Sequence, residues 1–158
     1  MTIWTVKPDL DRINAMADRT LVEVLDIRFV ETGPDYLKAV MPVDHRTHQP
    51  FGMLHGGASV ALAETMGSVG ALHCVNPETH FCVGLEINAN HVHSVRRGSV
   101  TGLAKPLHVG RTTQLWEIRI TNGKDRLVCV SRLTMAVLAR EKSDGLGFTV
   151  VAEGASGS

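Results

Sequence analysis

Residues 55–73, HGGASVALAETMGSVGALH, decide the fold because they predict the one long helix of the chain. At 1.5 Å per residue this helix would span about 28 Å. Most of its side chains are Gly, Ala or Ser, and none of its sides is polar. Because a helix that is apolar all round is buried all round, we expect it to lie inside the protein.

Alternating apolar residues on both sides of this helix predict β-strands that enclose it. At the start of the chain, residues 8–19 have apolar residues at helical spacing and predict a short helix. Residues 44–54 are polar, include a proline and a glycine, and predict a loop. The simplest packing that buries the long helix is an α+β fold, with an antiparallel sheet wrapped around it. Strands are predicted over residues 21–29, 37–43, 81–89, 99–105, 114–120 and 127–138.

The composition is typical of one globular domain. The 158 residues include 16 Lys plus Arg and 16 Asp plus Glu, and 44% are hydrophobic. A net charge of zero disfavours a protein whose main partner is nucleic acid or an anionic membrane. We expect residues 1–139 to form the domain and residues 140–158, which end in Gly-Ala-Ser-Gly-Ser, to form a flexible C-terminal tail.

The cysteines and the first residues favour a cytoplasmic protein. Cys74, Cys82 and Cys129 form no Cys-x-x-Cys pair, which argues against a disulfide framework and suits a reducing compartment. The N-terminal residues lack the basic start and apolar run of a signal peptide. No apolar stretch approaches the ~20 residues that cross a bilayer, so we expect no membrane contact.

Glu64 is the one acidic residue of the predicted long helix, which carries no Lys or Arg. None of its helical neighbours, such as Val60 or Ser68, can neutralise a carboxylate. Burying that charge is therefore costly or raises the pKa of the carboxyl group. A structural role, with the carboxyl group bonded to Ser68 or to the backbone, stays open, but the residues upstream favour a catalytic role.

The start of the long helix is a candidate site for a carbonyl oxygen. The first amides of a helix lack partners within the helix and lie at the positive end of its dipole. Gln49 and His55 precede this start, and Gly56 and Gly57 let a ligand oxygen approach the amides. Such amides can stabilise an oxygen that becomes negative during attack. The alternative, that both glycines only relieve crowding between helix and sheet, stays open.

The spacing of His55 and Glu64 predicts a site shared by two subunits. Nine residues of helix give a rotation of about 900° and a rise of about 13.5 Å, so the two side chains point to opposite sides. Two antiparallel copies of the helix across a twofold axis would place Glu64 of one chain opposite His55 of the other. We therefore expect an obligatory homodimer with two shared sites.

Three segments together carry a family resemblance: QPFGMLHGGASVALAETMGSVGA at 49–71, VGLEINANHVHS at 83–94 and KPLHVG at 105–110. They resemble the hotdog-fold acyl-CoA thioesterases, most closely the 1,4-dihydroxy-2-naphthoyl-CoA and enterobactin-proofreading group, and more distantly the phenylacetate-type enzymes. The resemblance implies a hotdog fold, a cytoplasmic homotetramer built from two dimers, and a link to menaquinone biosynthesis. It also implies hydrolysis of an aromatic or other bulky thioester of CoA, or of an acyl carrier protein, without a metal or other cofactor.

The resemblance further implies roles for single residues. Glu64 would be the nucleophile or the general base, and the Gly56 amide would hold the thioester oxygen. Gln49 and His55 would position the thioester and its leaving sulfur, and Ser68 would orient water or the acyl ring. The residues implied to border CoA are Val83, Asn90, His91, Val92, His93, Leu107, His108, Val109, Gly110, Arg111 and Thr112.

Two other functions on this fold stay open. A hydratase or dehydratase would use a His–Asp pair at one double bond, whereas the acid here is Glu64, without a fitting His. A non-catalytic acyl-CoA-binding protein would need no acid at that position. A metal site is disfavoured, because His91 and His93 have no Cys or acidic ligand at the usual spacing. The placement of side chains around the helix predicts an acyl pocket of Met53, Leu54, Thr65, Ser68, Val69 and His73.

Overall fold

The computed structural model describes residues 1–140, in which an antiparallel sheet of six strands packs against one long helix. The strand order is β1-β2-β6-β7-β8-β5, and a separate two-stranded sheet joins β3 to β4. The predicted tail lies outside the described residues except for Arg140. The elements are α1 (Leu10–Ala15), α2 (Leu21–Val24), β1 (Arg28–Thr32), β2 (Leu37–Val43), β3 (His48–Gln49), β4 (Met53–Leu54), α3 (Gly56–His73), β5 (His80–His91), β6 (Gly98–Val109), β7 (Thr113–Asn122) and β8 (Leu127–Ala139).

The long helix α3 packs against one face of the sheet, and its residues there are either small or fully buried. Leu62 and Met66 are completely buried between α3 and the sheet. A methyl group at Gly70 would lie 2.6 Å from the ring of Trp116, so only glycine permits this close approach of helix and strand. The predicted α+β architecture, an antiparallel sheet around one central helix, is confirmed.

One side of α3 is not covered by its own sheet. Gly57 and Leu72 are exposed, and Ala61, Glu64 and Ser68 between them are half-buried. These five residues, which we call the open face of α3, are spaced by three or four positions and so share one side of the helix. The expectation that α3 is buried on every side is therefore wrong for a single protomer.

The strand β5 contains a β-bulge that the apolar alternation does not reveal. Gly84 and Glu86 pair with successive residues of β8, which leaves Leu85 as the extra residue. The bulge reverses the faces of the strand: Gly84 faces α3 before it, and Ile87 packs on the core after it. The predicted single alternation over residues 81–89 is therefore wrong, since Val83 and Leu85 are exposed.

The segment before the first strand is helical for longer than predicted. Residues 21–24 form α2, because the Thr20 side chain accepts a hydrogen bond from the Val22 N–H and caps this turn. Asp26 has a φ of 52° and ends the turn, so the strand begins only at Arg28. The predicted helix over residues 8–19 is shorter and consists of α1, capped by Asp9. The predicted loop at 44–54 contains β3 and β4.

No helix within the described residues 1–140 is both long enough and apolar enough to cross a membrane.

Gln114 joins the sheet to the end of α3 from a completely buried position. Its Nε2 donates to the Ala71 carbonyl oxygen at 3.3 Å, and its Oε1 accepts from Trp116 Nε1 at 3.0 Å. We expect Gln114→Leu to lower the free energy of unfolding by about 2 kcal/mol, because the indole N–H is left buried without a partner. Urea unfolding checks this, and Arg119→Leu on an exposed part of β7 should change the free energy of unfolding by less than about 0.5 kcal/mol. Equal effects of the two substitutions on the free energy of unfolding would show that the buried hydrogen bonds of Gln114 do not stabilise the fold.

Candidate active site

A cavity of about 390 Å³ opens at the start of α3, which we call the α3 N-terminal cavity. It brings together predicted site residues that come from four separate segments of the chain. These are Gln49, Met53, Leu54, Gly56, His91, Val92 and His93. Three further lining residues, Ser59, Ser94 and Val128, were not predicted. Helical spacing could have indicated Ser59, which lies one turn after Gly56.

Thr47 anchors the loop that carries Gln49 over this cavity. Its side chain is buried, and its Oγ1 donates to the Pro42 carbonyl oxygen at 2.9 Å. Its own carbonyl oxygen accepts from the His55 N–H at 2.8 Å, which fixes the loop to the start of α3. On the other side of the cavity, the Leu54 N–H donates to the Val95 carbonyl oxygen at 2.8 Å. The cavity wall is therefore held by backbone hydrogen bonds on both sides.

His55 is the N-cap of α3. Its Nδ1 accepts a hydrogen bond from the Gly57 N–H at 2.8 Å. Nδ1 is therefore unprotonated, and the ring proton is on Nε2, which can donate to a ligand. His55 is exposed and does not line the α3 N-terminal cavity of its own protomer.

The Gly56 amide is the free donor at the start of α3. The Gly57 N–H is taken by the His55 ring, and the Ala58 and Ser59 N–H groups both donate to the His55 carbonyl oxygen. No residue of the described chain accepts from the Gly56 N–H. This unpaired amide lies at the positive end of the helix dipole and on the cavity wall, where it can bind a carbonyl oxygen.

Gln49 presents a second donor in the same cavity. Its Oε1 accepts a hydrogen bond from the Phe51 N–H, which orients the side-chain amide. The two N–H groups of its Nε2 have no acceptor among residues 1–140 and can donate to a ligand. Both free donors of this cavity suit an oxygen that carries negative charge.

His91 packs against Gly56. A methyl group at Gly56 would lie 2.9 Å from His91 Nε2, so any larger residue at this position would displace the ring. His91 ends β5, which places it at the cavity wall together with Val92 and His93.

Glu64 is half-buried in the middle of α3. Ser68 Oγ donates to its Oε1 at 3.5 Å, and a methyl group at Gly84 would lie 2.5 Å from the same oxygen. The carboxyl group therefore rests on the backbone of β5, where only glycine leaves room for it. Burial raises the pKa of Glu64, and the Ser68 hydrogen bond partly opposes this rise. No Lys, Arg or His of the described chain forms an ion pair with it.

A single protomer does not assemble the whole predicted catalytic set. Gln49, His55 and Gly56 lie at the start of α3, whereas Glu64 and Ser68 lie in its middle. Eight residues of helix separate Gly56 from Glu64, which is about 12 Å along the axis. One small reacting group cannot contact both.

The predicted acyl pocket is divided between two places. Met53 and Leu54 line the α3 N-terminal cavity. Thr65, Val69 and His73 line a second cavity of about 220 Å³ between α1, α2 and α3, which we call the α1–α3 cavity. Ser68 lines neither cavity and contacts Glu64. The rest of the α1–α3 cavity wall consists of Ile13, Met16, Ala17, Thr20, Val22, Phe29 and Leu72.

The residues predicted to border CoA lie at two ends of the sheet. Asn90, His91, Val92 and His93 are near the start of β8, since His91 pairs with Cys129. Val83 and residues 107–112 are near its end, since both Val83 and Thr113 pair with Ala136. Ala136 is seven positions after Cys129, which corresponds to about 23 Å along the strand. One protomer therefore does not bring the two groups together.

The cysteines and histidines offer no alternative reactive centre within the described chain. No three His, Cys, Asp or Glu side chains of residues 1–140 are grouped so that they can hold a metal ion. Burial raises the pKa of the Cys74 thiol to about 12 and also raises those of Cys82 and Cys129. These thiols are therefore poor nucleophiles. The predicted lack of a metal or other cofactor stays a prediction.

An antiparallel sheet packed against one long central helix defines a protein of the hotdog-fold class. The model of the thioesterase superfamily matches residues 51–129, and the chain belongs to this family. It is a thioester hydrolase. The predicted hotdog fold and the predicted family are both confirmed.

The similar proteins agree with this family. The 1,4-dihydroxy-2-naphthoyl-CoA hydrolase of Escherichia coli is 56% identical over 136 residues, covering 86% of this chain and 99% of that protein. The proofreading thioesterase EntH of Cronobacter turicensis is 49% identical over 136 residues, covering 86% and 98%. The crystal structure of a mutant thioesterase from Pseudomonas aeruginosa superposes with a TM-score of 0.87 at 47% identity, covering 88% of this chain and 100% of that chain.

Proposed function

We propose that this protein hydrolyses the CoA thioester of an aromatic or other bulky acyl group to the free acid and CoA. The observation that carries the proposal is the unpaired Gly56 N–H at the positive end of α3, in a cavity that also holds the free amide of Gln49. The relative named as a 1,4-dihydroxy-2-naphthoyl-CoA hydrolase supports an aromatic acyl-CoA and is consistent with a role in menaquinone biosynthesis.

Two contacts within the protomer support a twofold axis that completes the site. Glu64 lies against Gly84, and Gly56 lies against His91. An axis midway between these contacts would pair α3 and β5 with their own copies in antiparallel orientation. It would bring Glu64 to Gly56 of the partner subunit. The midpoints are Val60 in α3 and the Ile87–Asn88 bond in β5.

The surfaces at these midpoints are suited to a second copy of the chain. β5 is a 12-residue edge strand of the sheet, and the backbone groups on its outer edge are free to pair with another strand. Its side chains Val83 and Leu85 are 38% and 62% exposed, although they are apolar. The open face of α3, with Gly57 and Ala61 near the proposed axis, lets two helices approach closely. A homodimer would cover both surfaces, and two dimers would form the implied tetramer.

The chemistry follows from the donors and the carboxyl group. The thioester oxygen would accept from the Gly56 N–H and from Gln49 Nε2, which stabilise the negative charge that develops on it. Glu64 of the partner subunit would act on the carbonyl carbon in one of two ways. As a nucleophile it forms an acyl anhydride and expels CoA thiolate, and water then cleaves the anhydride. As a general base it takes a proton from water, and the resulting hydroxide expels the thiolate.

His55 and Ser68 would assist this reaction. His55 carries its ring proton on Nε2 and would donate to the leaving sulfur. Ser68 donates to Glu64 and would hold either the carboxylate or the attacking water in place.

The same twofold axis would join the two groups of CoA-binding residues. It would bring Val83 and residues 107–112 of one subunit beside Asn90 and His93 of the other. Basic side chains near these segments would bind the CoA phosphates through charge-assisted hydrogen bonds. Among them, Arg97 and Arg111 are exposed and form no ion pair with any residue of 1–140. Acyl carrier protein thioesters would use the same acyl site.

A thiol-release assay on a panel of acyl-CoAs tests the function. We expect benzoyl-, naphthoyl- and phenylacetyl-CoA to be hydrolysed with a higher kcat/KM than acetyl-CoA, because the larger acyl groups bury more apolar surface. Binding of these thioesters without release of CoA would instead favour a non-catalytic acyl-CoA-binding protein. Hydration of an enoyl-CoA without thiol release would favour a hydratase.

A further inference from the structure

The short hairpin of β3 and β4 carries Gln49, whose free amide is one of the two donors proposed to hold the thioester oxygen. A tight turn joins the two strands: the Gly52 N–H donates to the Gln49 carbonyl oxygen at 3.0 Å, and Gly52 has a φ of 72°. Each strand contributes only two residues to the pairing. Because so short a hairpin is marginally stable by itself, contacts outside it must fix the position of Gln49.

Arg96 holds this hairpin on both sides of Gln49. Its carbonyl oxygen lies 3.0 Å from His48 Nε2, and since a carbonyl oxygen can only accept, this ring nitrogen carries a proton and donates. Its guanidinium Nη1 donates to the Phe51 carbonyl oxygen at 3.1 Å. The two residues that Arg96 contacts therefore stand directly before Gln49 and two positions after it.

The bond to Phe51 leads on to the Gln49 side chain. The Phe51 N–H donates to Gln49 Oε1, so the residue whose carbonyl group Arg96 holds also orients the Gln49 amide. Pro50 lies between Gln49 and Phe51, and its fixed φ leaves this connection few conformations. Two hydrogen bonds thus join an exposed guanidinium to a proposed donor of the active site.

The segment that carries Arg96 is itself fixed to the sheet. The Val92 N–H donates to the carbonyl oxygen of Val128 in β8 at 2.9 Å. Val95 is buried, and its carbonyl oxygen accepts from the Leu54 N–H. The Arg96 guanidinium therefore extends from a fixed backbone, and the turn of the hairpin is the part that it holds in place.

We propose that Arg96 is a positioning residue for the hydrolysis: it holds the Phe51 carbonyl group and thereby directs Gln49 Nε2 to the thioester oxygen. The inference rests on the proposed thioester hydrolysis and adds a residue that acts through Gln49 rather than on the substrate. The thioester oxygen carries most charge in the transition state, so loss of a directed donor lowers kcat more than it raises KM. The alternative, a contact of the exposed guanidinium with a CoA phosphate, would mainly raise KM.

The test uses benzoyl-CoA and benzoyl-pantetheine, which keeps the pantetheine arm but has no phosphate. Arg96→Met keeps most of the side-chain length and removes the donor. We expect it to lower kcat about fivefold on both thioesters, because the lost hydrogen bond does not involve a phosphate. Arg96→Lys keeps a donor and should restore part of kcat. Arg119→Met, on an exposed part of β7, is the matched control and should leave kcat unchanged.

A double-mutant cycle with Gln49→Ala tests whether Arg96 acts through Gln49. Without the Gln49 amide there is no donor to direct, so Arg96→Met should lower kcat by less than about twofold in this background. Equal losses in the two backgrounds, or a loss on benzoyl-CoA that is absent on benzoyl-pantetheine, would overturn the positioning role. Partial unfolding would lower kcat equally in both backgrounds, so the cycle also separates it from positioning.

The outcomes separate this inference from the proposed function. If the natural protein releases thiol from neither thioester, the proposed function is itself wrong. If it releases thiol and Arg96→Met keeps the natural kcat, the function stands and the role of Arg96 is wrong. Should only benzoyl-CoA be hydrolysed, the cycle on that thioester decides between the two roles of Arg96.

Discussion

Glu64→Gln should reduce kcat/KM about 10³-fold for every acyl-CoA that the protein hydrolyses. The amide has nearly the same shape as the carboxyl group, so it keeps the space above Gly84 and the contact with Ser68. It can neither attack a thioester nor take a proton from water. Thiol release measures the loss, and size-exclusion chromatography checks that the oligomer is unchanged. Glu78→Gln in the exposed turn before β5 is the matched control and should leave kcat/KM unaltered.

The pH profile gives a second measurement of the same group. Because Glu64 acts as the carboxylate in both routes, activity should fall as the pH drops through its pKa. Burial raises that pKa, so the midpoint of the acidic limb should lie above the ordinary value of 4.5. A Glu64→Gln variant that retains more than a tenth of the activity, or that keeps the same acidic limb, would rule out this role.

Mixed dimers should recover activity that neither parent variant has. Glu64→Ala removes the carboxyl half of the site, and the double variant Gln49→Ala/His55→Ala removes the cavity half. In a dimer of one Glu64→Ala subunit and one double-variant subunit, one of the two shared sites keeps every side chain. We expect about half of the natural activity per dimer, against about 1% or less for either parent homodimer. Co-expression with two affinity tags isolates the mixed dimer for the thiol-release assay.

The opposite combination is the control. A natural subunit paired with a subunit that carries all three substitutions has no complete shared site, so this dimer should be nearly inactive. If each protomer instead built its own site, this second dimer would keep half of the activity and the first would have none. The two mixed dimers therefore give reversed results under the two arrangements, and both have the same composition of substitutions.

Local patterns in the sequence predict the main elements of the fold. The small apolar residues of 55–73 predict α3 to within one residue, and the alternating residues of β2, β6, β7 and β8 predict their strands. The bulge at Leu85 was missed because one extra residue leaves the apolar pattern nearly unchanged while it exchanges the faces of the strand. The helix α2 was missed because its apolar residues also fit a period of two. A Thr N-cap at position 20 is the local signal that distinguishes the two.

The sequence predicts which residues belong to the site better than it predicts their grouping. Glu64 stands out because it is an unpaired acid on an apolar helix, and the helix start indicates Gly56. The hydrogen bond from the Gly57 N–H to the His55 ring depends on a side-chain rotamer, and no spacing reveals it. The division of the CoA-binding residues between two ends of the sheet depends on the pairing of β5 with β8. That pairing joins residues 38 to 59 positions apart, so only the fold shows it.

The bulge at Leu85 lets Gly84 and Ile87, which are three positions apart, face the same side of β5. At Gly84 the strand offers its bare backbone to the carboxyl group of Glu64. The apolar side chains of Val83 and Leu85 are exposed on this edge strand. Deleting Leu85 would leave these pairings intact, whereas deleting a residue between the bulge and His91, with the bulge kept, would turn the Val83 side chain towards Glu64. Homologous chains should therefore conserve the number of residues between Glu86 and His91 even where the residues themselves vary.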